Sequence, residues 1–343
     1  MQDSRWIRTL KAMSCAYLMV ACNERTLPVA EPSPLVSVKV SIRPHLSYAP
    51  LIIAEEEGYF SEEGIAVEMI DLWTADAMIA LSSGEIDVVG QPLFVGLFNA
   101  MARGAPIRIV ADKGHVDSGC SPYTLMAREG LFDRGPLTID DARGLKLERR
   151  EGTVFDFVVE HFVEQNGFTF DDFQRVEYIV PSSSPAAFAS DQVDLKIETE
   201  PNQTFLVESG LARPWIPLND IVPGLQFSVI VFGQRLTDEL PEAGSKFMTA
   251  YLRGVRTYSQ GPTESNIDTI SRFTNLEPDL VRKACWAPIH DDGRVNADQV
   301  QDFVDWVHKR GFLERALGEE DWWDPRFVAD ATAELQRREN SEK

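Results

Sequence analysis

Cysteine and histidine are scarce in this chain: 343 residues hold four of the first and five of the second. Cys15, Cys22, Cys120 and Cys285 form no pair at metal-ligand spacing, so no metal site is expected. For Cys120 and Cys285 the spacing argues neither for a disulfide nor against one. Cations are in deficit, with 33 Lys and Arg against 54 Asp and Glu and a formal net charge of -21. Such a chain has little with which to neutralise phosphates, which excludes nucleic acid as the expected partner. The acids are spread along the sequence rather than gathered in a tail, so the charge reads as solubility. Gly-x-Ser-x-Gly, His-Glu-x-x-His and a phosphate-cradling Gly-rich loop are all missing, and with them the commonest motifs of hydrolases, zinc proteases and nucleotide enzymes.

Long apolar runs are missing as well. Arg5, Arg8 and Lys11 precede a charge-free run, 12–21, and Leu18-Met-Val-Ala-Cys22 closes the segment. That run falls short of the roughly 20 residues a bilayer span needs, and a basic start before a short apolar stretch is the pattern of a secretory signal. Ala21 before Cys22 resembles a bacterial lipoprotein signal, in which the cysteine carries lipid and becomes the mature N-terminus. Met19 departs from the aliphatic residue usual there, and a signal cleaved without lipid, or merely a buried hydrophobic helix, stays open. The expectation is a signal over 1–22, lipid at Cys22, a proline-rich tether over 23–35, and an extracytoplasmic protein held at the membrane.

What the chain does have is enough apolar residue, 44% of the total, to fill a core, and enough length for two lobes. Its organising stretch is 36–70. Val36 to Ile42 alternates as a strand; Pro50 suits a first helical turn, Leu51 to Ala54 bury a face, and Gly58 stops the helix. Gly64 turns the chain into a second alternating strand, Ile65 to Ile70. Strand, helix, strand is a βαβ unit opening a parallel sheet.

Within this unit the Ala-Pro-Leu start at 49–51, Ala54-Glu-Glu-Glu-Gly-Tyr-Phe60 and Glu63-Gly-Ile-Ala-Val-Glu68 resemble the solute-binding proteins of ABC importers. The subgroup resembled carries thiamine-pyrimidine precursors, riboflavin, taurine, alkanesulfonates or nitrate, with the fungal thiamine-pyrimidine synthases as a sister branch. The resemblance runs from about Val36 to about Ala329. It implies an α/β, two-lobed, type II periplasmic-binding-protein fold, each lobe a mostly parallel sheet flanked by helices. It also implies a monomer that takes a small-molecule solute without a cofactor and delivers it to a membrane permease.

An internal echo points the same way without the family. Ala80-Leu-Ser-Ser-Gly-Glu-Ile-Asp-Val88 and Ala187-Phe-Ala-Ser-Asp-Gln-Val-Asp-Leu195 match position by position as helix end, turn and strand start. Two lobes of like topology explain the match. Further strands are expected over 107–111, 123–127, 146–149, 176–180 and 195–199. Leu225 to Phe232 then returns to the first lobe, so that two crossings make a hinge. Lobe 1 is therefore placed at 36–114 plus 227–338 and lobe 2 at 115–226, with the helices from Pro241 onward outside lobe 1.

In open parallel sheets ligands bind off the carboxyl ends of the strands. Applied here, the rule selects Arg43, His45, Tyr48, Trp73 and Gln91 from the first lobe. From the second it selects Thr153 and Phe155 at a helix start, and Glu198 and Glu200 after the echo strand. Tyr123 and Gln226 would line the hinge. Each has a plainer reading: His45 as a loop residue, Tyr48 and Trp73 as core edges, the two glutamates as a solvated face. Aromatics with carboxylate acceptors favour a neutral or cationic heterocycle such as riboflavin or an aminopyrimidine, because Glu198 and Glu200 would repel an organic anion. Arg43 and Arg149 pull towards the anion. An enzyme of the synthase type is expected to show the Cys-rich iron-binding stretch of that branch, which this chain lacks.

Overall fold

The structure is a computed structural model that describes residues 34–72 and 74–341. The signal segment with Cys22, the tether up to residue 33, and Trp73 therefore lie outside the described residues.

Among the described residues the strands are β1 Val36–Ser41, β2 Ile65–Ile70, β3 Val88–Pro92, β4 Arg108–His115, β5 Tyr123–Arg128, β6 Lys146–Arg149, β7 Gln174–Glu177, β8 Leu195–Thr199, β9 Ala212–Pro217 and β10 Gln226–Phe232. They form two five-stranded sheets, ordered β2-β1-β3-β10-β4 and β7-β6-β8-β5-β9. The βαβ reading of 36–70 holds, with β1 and β2 parallel and Val36 opposite Ile65. Each sheet keeps four strands in one direction and reverses a fourth-placed one, β10 in the first and β5 in the second. These two are the strands that carry the chain back from a crossing. A crossover through a helix returns the chain parallel, whereas a direct crossing from the other lobe is free to enter reversed.

The echo is structural. Asp87 N–H donates to Lys39 O (2.9 Å) and the Asp87 carboxylate accepts from Lys39 N–H (2.8 Å). Asp194 repeats both bonds with Lys146, at 2.9 and 3.0 Å. Each carboxylate is then neutralised by an arginine from the reversed strand's end, Arg235 at 2.9 Å and Arg128 at 2.8 Å. An acid at the strand start thus caps the neighbouring ladder, and its burial is tolerated because a guanidinium pairs with it. Where the first copy has Gly84, the second has Asp191, and both adopt positive φ, 77° and 55°. Aspartate tolerates that region better than most residues, so the turn survives the substitution.

The helices are α1 Ala49–Glu56, α2 Tyr59–Glu62, α3 Thr74–Ser83, α4 Val95–Ala102, α5 Val154–Gln165, α6 Ser184–Ala189, α7 Asn202–Glu208, α8 Pro241–Tyr258, α9 Glu264–Thr274, α10 Pro278–Lys283, α11 Ala297–Lys309, α12 Glu319–Trp322 and α13 Arg326–Ser341. Helix α8 presses on α1 so closely that a Cβ at Gly254 would stand 2.2 Å from Pro50 O. Helix α11 does something that chain order does not announce. Its Phe303 ring lies 5.7 Å from Phe98 of α4 and 5.7 Å from Phe157 of α5, and Trp306 lies 5.6 Å from Phe157. The two lobes therefore share one apolar core on this side, and Arg310 pairs with Glu160 beside it.

The crossings run side by side. Val116 N–H donates to Leu225 O (2.9 Å), and Asp112 is the knot between them. Its Oδ1 accepts from Gly114 N–H and the Gln226 amide (both 2.7 Å); its Oδ2 takes His115 Nδ1 (2.7 Å) and His290 N–H (2.9 Å). A fully buried carboxylate with four hydrogen-bond partners fixes the crossing geometry.

Candidate functional site

The first wall of the site is built where β1 ends. His45 opens a 3-10 turn, Leu46–Tyr48, that leads into α1. Its Nδ1 accepts the Ser47 backbone N–H at 3.1 Å and lies 2.9 Å from Ser47 Oγ. A ring nitrogen that accepts an amide hydrogen carries none itself, so the neutral ring is protonated at Nε2. Burial, with help from Lys113 and Arg43, holds this imidazole down at about 4, although part of the residue's surface still reaches solvent. Lys113 comes from β4, its stem passing over Gly90, where a Cβ would stand 2.7 Å from the lysine Cδ. The ammonium donates to Ser47 Oγ (2.8 Å) and lies 3.9 Å from the centre of the Tyr48 ring. Burial lowers it to about 7. Tyr48 in turn donates its hydroxyl to Gly90 O at 2.5 Å, and burial raises that hydroxyl above its usual range. Arg43 faces Asp71 at 3.7 Å. Gln91 donates to Met78 Sδ (2.9 Å), and its amide oxygen is buried with no partner among the described residues.

The second wall comes from β6, α5 and β8. The start of α5 is held against the first lobe by two bonds, Val95 N–H to Gly152 O (2.8 Å) and Val154 N–H to Leu93 O (2.9 Å). Thr153 gives its hydroxyl to Arg150 O (2.6 Å), and Gly152 N–H goes to Asp156 (3.2 Å). Of the donors at this helix start, the Val154 N–H is thus used between lobes, and the Gly152 N–H and Thr153 hydroxyl within the loop. Phe155 meets Phe227 edge-on at 5.1 Å, and Tyr123 stacks on the same ring at 3.9 Å. Arg150 lies 4.2 Å from the half-exposed Tyr178 ring.

The two glutamates have partners inside the protein. Glu198 is 2% exposed and lies 2.9 Å from Lys196 Nζ, which also faces Glu148 at 3.5 Å. Glu200 accepts from Thr204 N–H (3.2 Å), Thr204 Oγ1 (3.0 Å) and, across the lobes, Cys285 N–H (3.3 Å). Its carboxyl is raised by burial, against the opposing pull of those bonds. Gln226 is fully buried in the crossing, with its amide nitrogen on Asp112 and its oxygen accepting from Asn296 N–H (2.8 Å).

Of the sequence-selected residues, His45, Tyr123 and Glu200 line one crevice, together with Leu46, Ser47, Pro122, Tyr258, Cys285 and Ala287. Tyr48 adjoins it through Ser47 and Lys113. Thr153 and Phe155 belong to the bridge between lobes; Glu198 and Gln226 are held in buried networks. The crevice measures about 10 Å³, less than one water molecule needs for comfort. A solute can enter only if the lobes part. Cys120 and Cys285 are joined as a disulfide at its edge, with Cα atoms 5.8 Å apart. Sequence reasoning missed Lys113, which it placed at the exit towards the second lobe rather than in strand β4, and residues 284–286, which it took as the end of a helix.

Chemically the crevice offers donors and rings rather than a nucleophile. Ser47 faces an imidazole whose basicity is suppressed, a poor arrangement for removing a proton at neutral pH. Asp112, His115 and His290 bring possible ligand atoms within 4.8 Å of one another. The Asp112 oxygens are already saturated, however, and the two rings stack at 4.0 Å and 19°. Lone pairs lying in parallel planes do not converge on one ion.

The chain is 22% identical to YtlA of Bacillus subtilis (strain 168), named as a binding protein, over 81% of this chain and 82% of that one. Among solved structures it is similar to the periplasmic aliphatic sulphonate binding protein SsuA from Escherichia coli, with a TM-score of 0.67, 17% identity, and coverage of 85% here and 93% there. It is also similar to the desulfurization enzyme DSZB, with a TM-score of 0.66, 14% identity, and coverage of 88% and 99%. These likenesses concern the fold, and that fold serves binding in one neighbour and catalysis in the other. The model of one family matches residues 45–265, from the crevice histidine through both sheets into α9, and the chain belongs to that NMT1/THI5 like family.

Proposed function

We propose that this protein is the solute-binding component of an ABC importer, closing lobe 1 (36–114 plus 227–338) and lobe 2 (115–226) on a small molecule. It would hand that molecule to a permease in the cytoplasmic membrane. The observation that carries the reading is the meeting of two like-built sheets at a shared crevice that must open to admit anything. The names of YtlA and SsuA support the role. The signal pattern at 1–22 supports an extracytoplasmic location with lipid at Cys22, and a monomer suffices for the task.

The aromatic lining, Tyr123 and Tyr258 with Tyr48 adjoining, suits a flat ring, so the solute is an aromatic heterocycle of the riboflavin or thiamine-pyrimidine kind. A second reading, an organic anion such as taurine, an alkanesulfonate or nitrate, gains from one observation. Glu198 and Glu200, the groups expected to repel an anion, are occupied by Lys196, Thr204 and Cys285. Catalysis of the synthase type is disfavoured by the suppressed basicity of His45 and by the disulfide that engages Cys120 and Cys285.

Thermal-shift screening of riboflavin, aminopyrimidines, taurine, alkanesulfonates and nitrate, followed by calorimetry on any hit, tests the reading. One-to-one binding without turnover supports it, and chemical conversion of a bound compound refutes it.

A further inference from the structure

Lys113 stands directly behind the crevice, bonded to its lining residue Ser47, and packing does not explain it. It is 2% exposed, and among the described residues no carboxylate lies within ion-pair distance of it. One of its three hydrogens goes to Ser47 Oγ and a π face lies beneath it. An ammonium taken out of water costs several kcal/mol unless it is paired, and one neutral hydroxyl with one ring offsets part of that cost. Stability alone would have put an apolar side chain here. Beside it, His45 presents an Nε2–H with no hydrogen-bond partner among the described residues, while its Nδ1 is filled by Ser47. One donor, the His45 Nε2–H, thus belongs to a lining residue, and a cationic one lies a single hydroxyl behind the lining, on Ser47.

We infer that Lys113 recognises an anionic group on the solute, a carboxylate, sulfonate or phosphate, with His45 Nε2–H as the second donor. The inference rests on reading the crevice as the solute site, and it fits a heteroaromatic acid as well as an alkanesulfonate. Binding would bring the lysine a counter-charge at ion-pair distance, where the chain supplies only the more distant Asp112. Because burial holds the free ammonium at about 7, seating an anion also draws a proton onto it.

The test uses the whole mature chain with three variants, Lys113→Met, Lys113→Arg and the surface control Lys309→Met. The probes are taurine, benzenesulfonate, nicotinate and nitrate as anions, and riboflavin and 4-amino-5-hydroxymethyl-2-methylpyrimidine as uncharged rings. The expected result is that an anionic probe binds, that Lys113→Met weakens it by about 30-fold or more, and that the control leaves it unchanged. In the absence of probes Lys113→Met is expected to melt at a higher temperature than the parent. An anionic probe held equally well by parent and Lys113→Met overturns the inference. So does binding of the uncharged rings alone, which leaves the solute-binding reading standing. A lower melting temperature for both Lys113 variants without probes marks the lysine as structural and overturns it too. If no probe of either kind binds, the reading of the crevice falls, and the inference with it.

Discussion

The backbone N–H of Cys285 points at the Glu200 carboxylate, 3.3 Å away, while the same cysteine's sulfur is bonded to Cys120. One residue of the first lobe's outer segment is thus tied twice to the second lobe's side of the crevice. Lys283 adds a third tie, to Glu208 of α7, at 2.5 Å.

Removing the covalent tie should loosen that edge. For Cys120→Ser with Cys285→Ser the expected loss is about 2–5 kcal/mol of unfolding free energy. Denaturant melts of oxidised and reduced parent beside the double variant measure it. Equal stability of all three would show that the bond constrains nothing.

Glu200 should matter without any solute present. Glu200→Ala strips Thr204 and Cys285 of an acceptor, and about 1–3 kcal/mol should be lost from the solute-free protein. A free-standing ligand acceptor would give the opposite result, unchanged stability with weakened binding. Chemical denaturation of the two proteins separates the cases.

The titration of the crevice wall has a definite sign. Lys113 is about 7 when folded against an ordinary 10.5, so between those values the unfolded chain holds more protons. Stability should then rise with pH across that window, by up to about 1.4 kcal/mol per unit from this group. His45, held at about 4 against 6.5, acts in the same direction lower down, so stability is lost as pH falls from 6.5 towards 4. Melting curves from pH 4 to 10 should show both slopes, with Lys113→Met flattening the upper one and His45→Asn the lower.

Phe303 joins the lobes through Phe98 and Phe157. Truncation to Ala should cost about 3–5 kcal/mol and widen the range of lobe separations. Calorimetry gives the first and small-angle scattering of the solute-free protein the second. A destabilised protein with unchanged scattering would confine α11 to a packing role.

Much of this architecture was readable because local pattern and fold agree. Ala77, Met78, Ala80 and Leu81 face inward as helical spacing requires, and the helix-turn-strand echo recurs with its aspartates in the same bonds. Strand direction was not readable, since alternation in Gln226–Phe232 is the same whichever way the strand enters. Strand β9 escaped notice because Pro214 and Pro217 argue against a strand; it lies at a sheet edge, where proline's missing N–H does no harm. The reading of 176–180 as a strand fell two residues late, because the apolar Ile179 and Val180 follow the short strand rather than form it. Glu198 looked like a cleft residue because acids are seldom buried; Lys196, two positions earlier on the same face, is what permits it. Lys113 went unseen because burial and isolation are facts of tertiary structure, not of spacing.

The nesting of one sheet inside the other has a bearing on how the chain matures. All strands of the second sheet lie between Tyr123 and Pro217, whereas the first sheet lacks its fourth-placed member until Gln226–Phe232 has been made. The inserted half can therefore finish its sheet while the enclosing half still waits, with its β3 edge open, for a strand from far downstream. That edge stays exposed for the longer time, so substitutions along β10 should harm yield before they harm the finished protein.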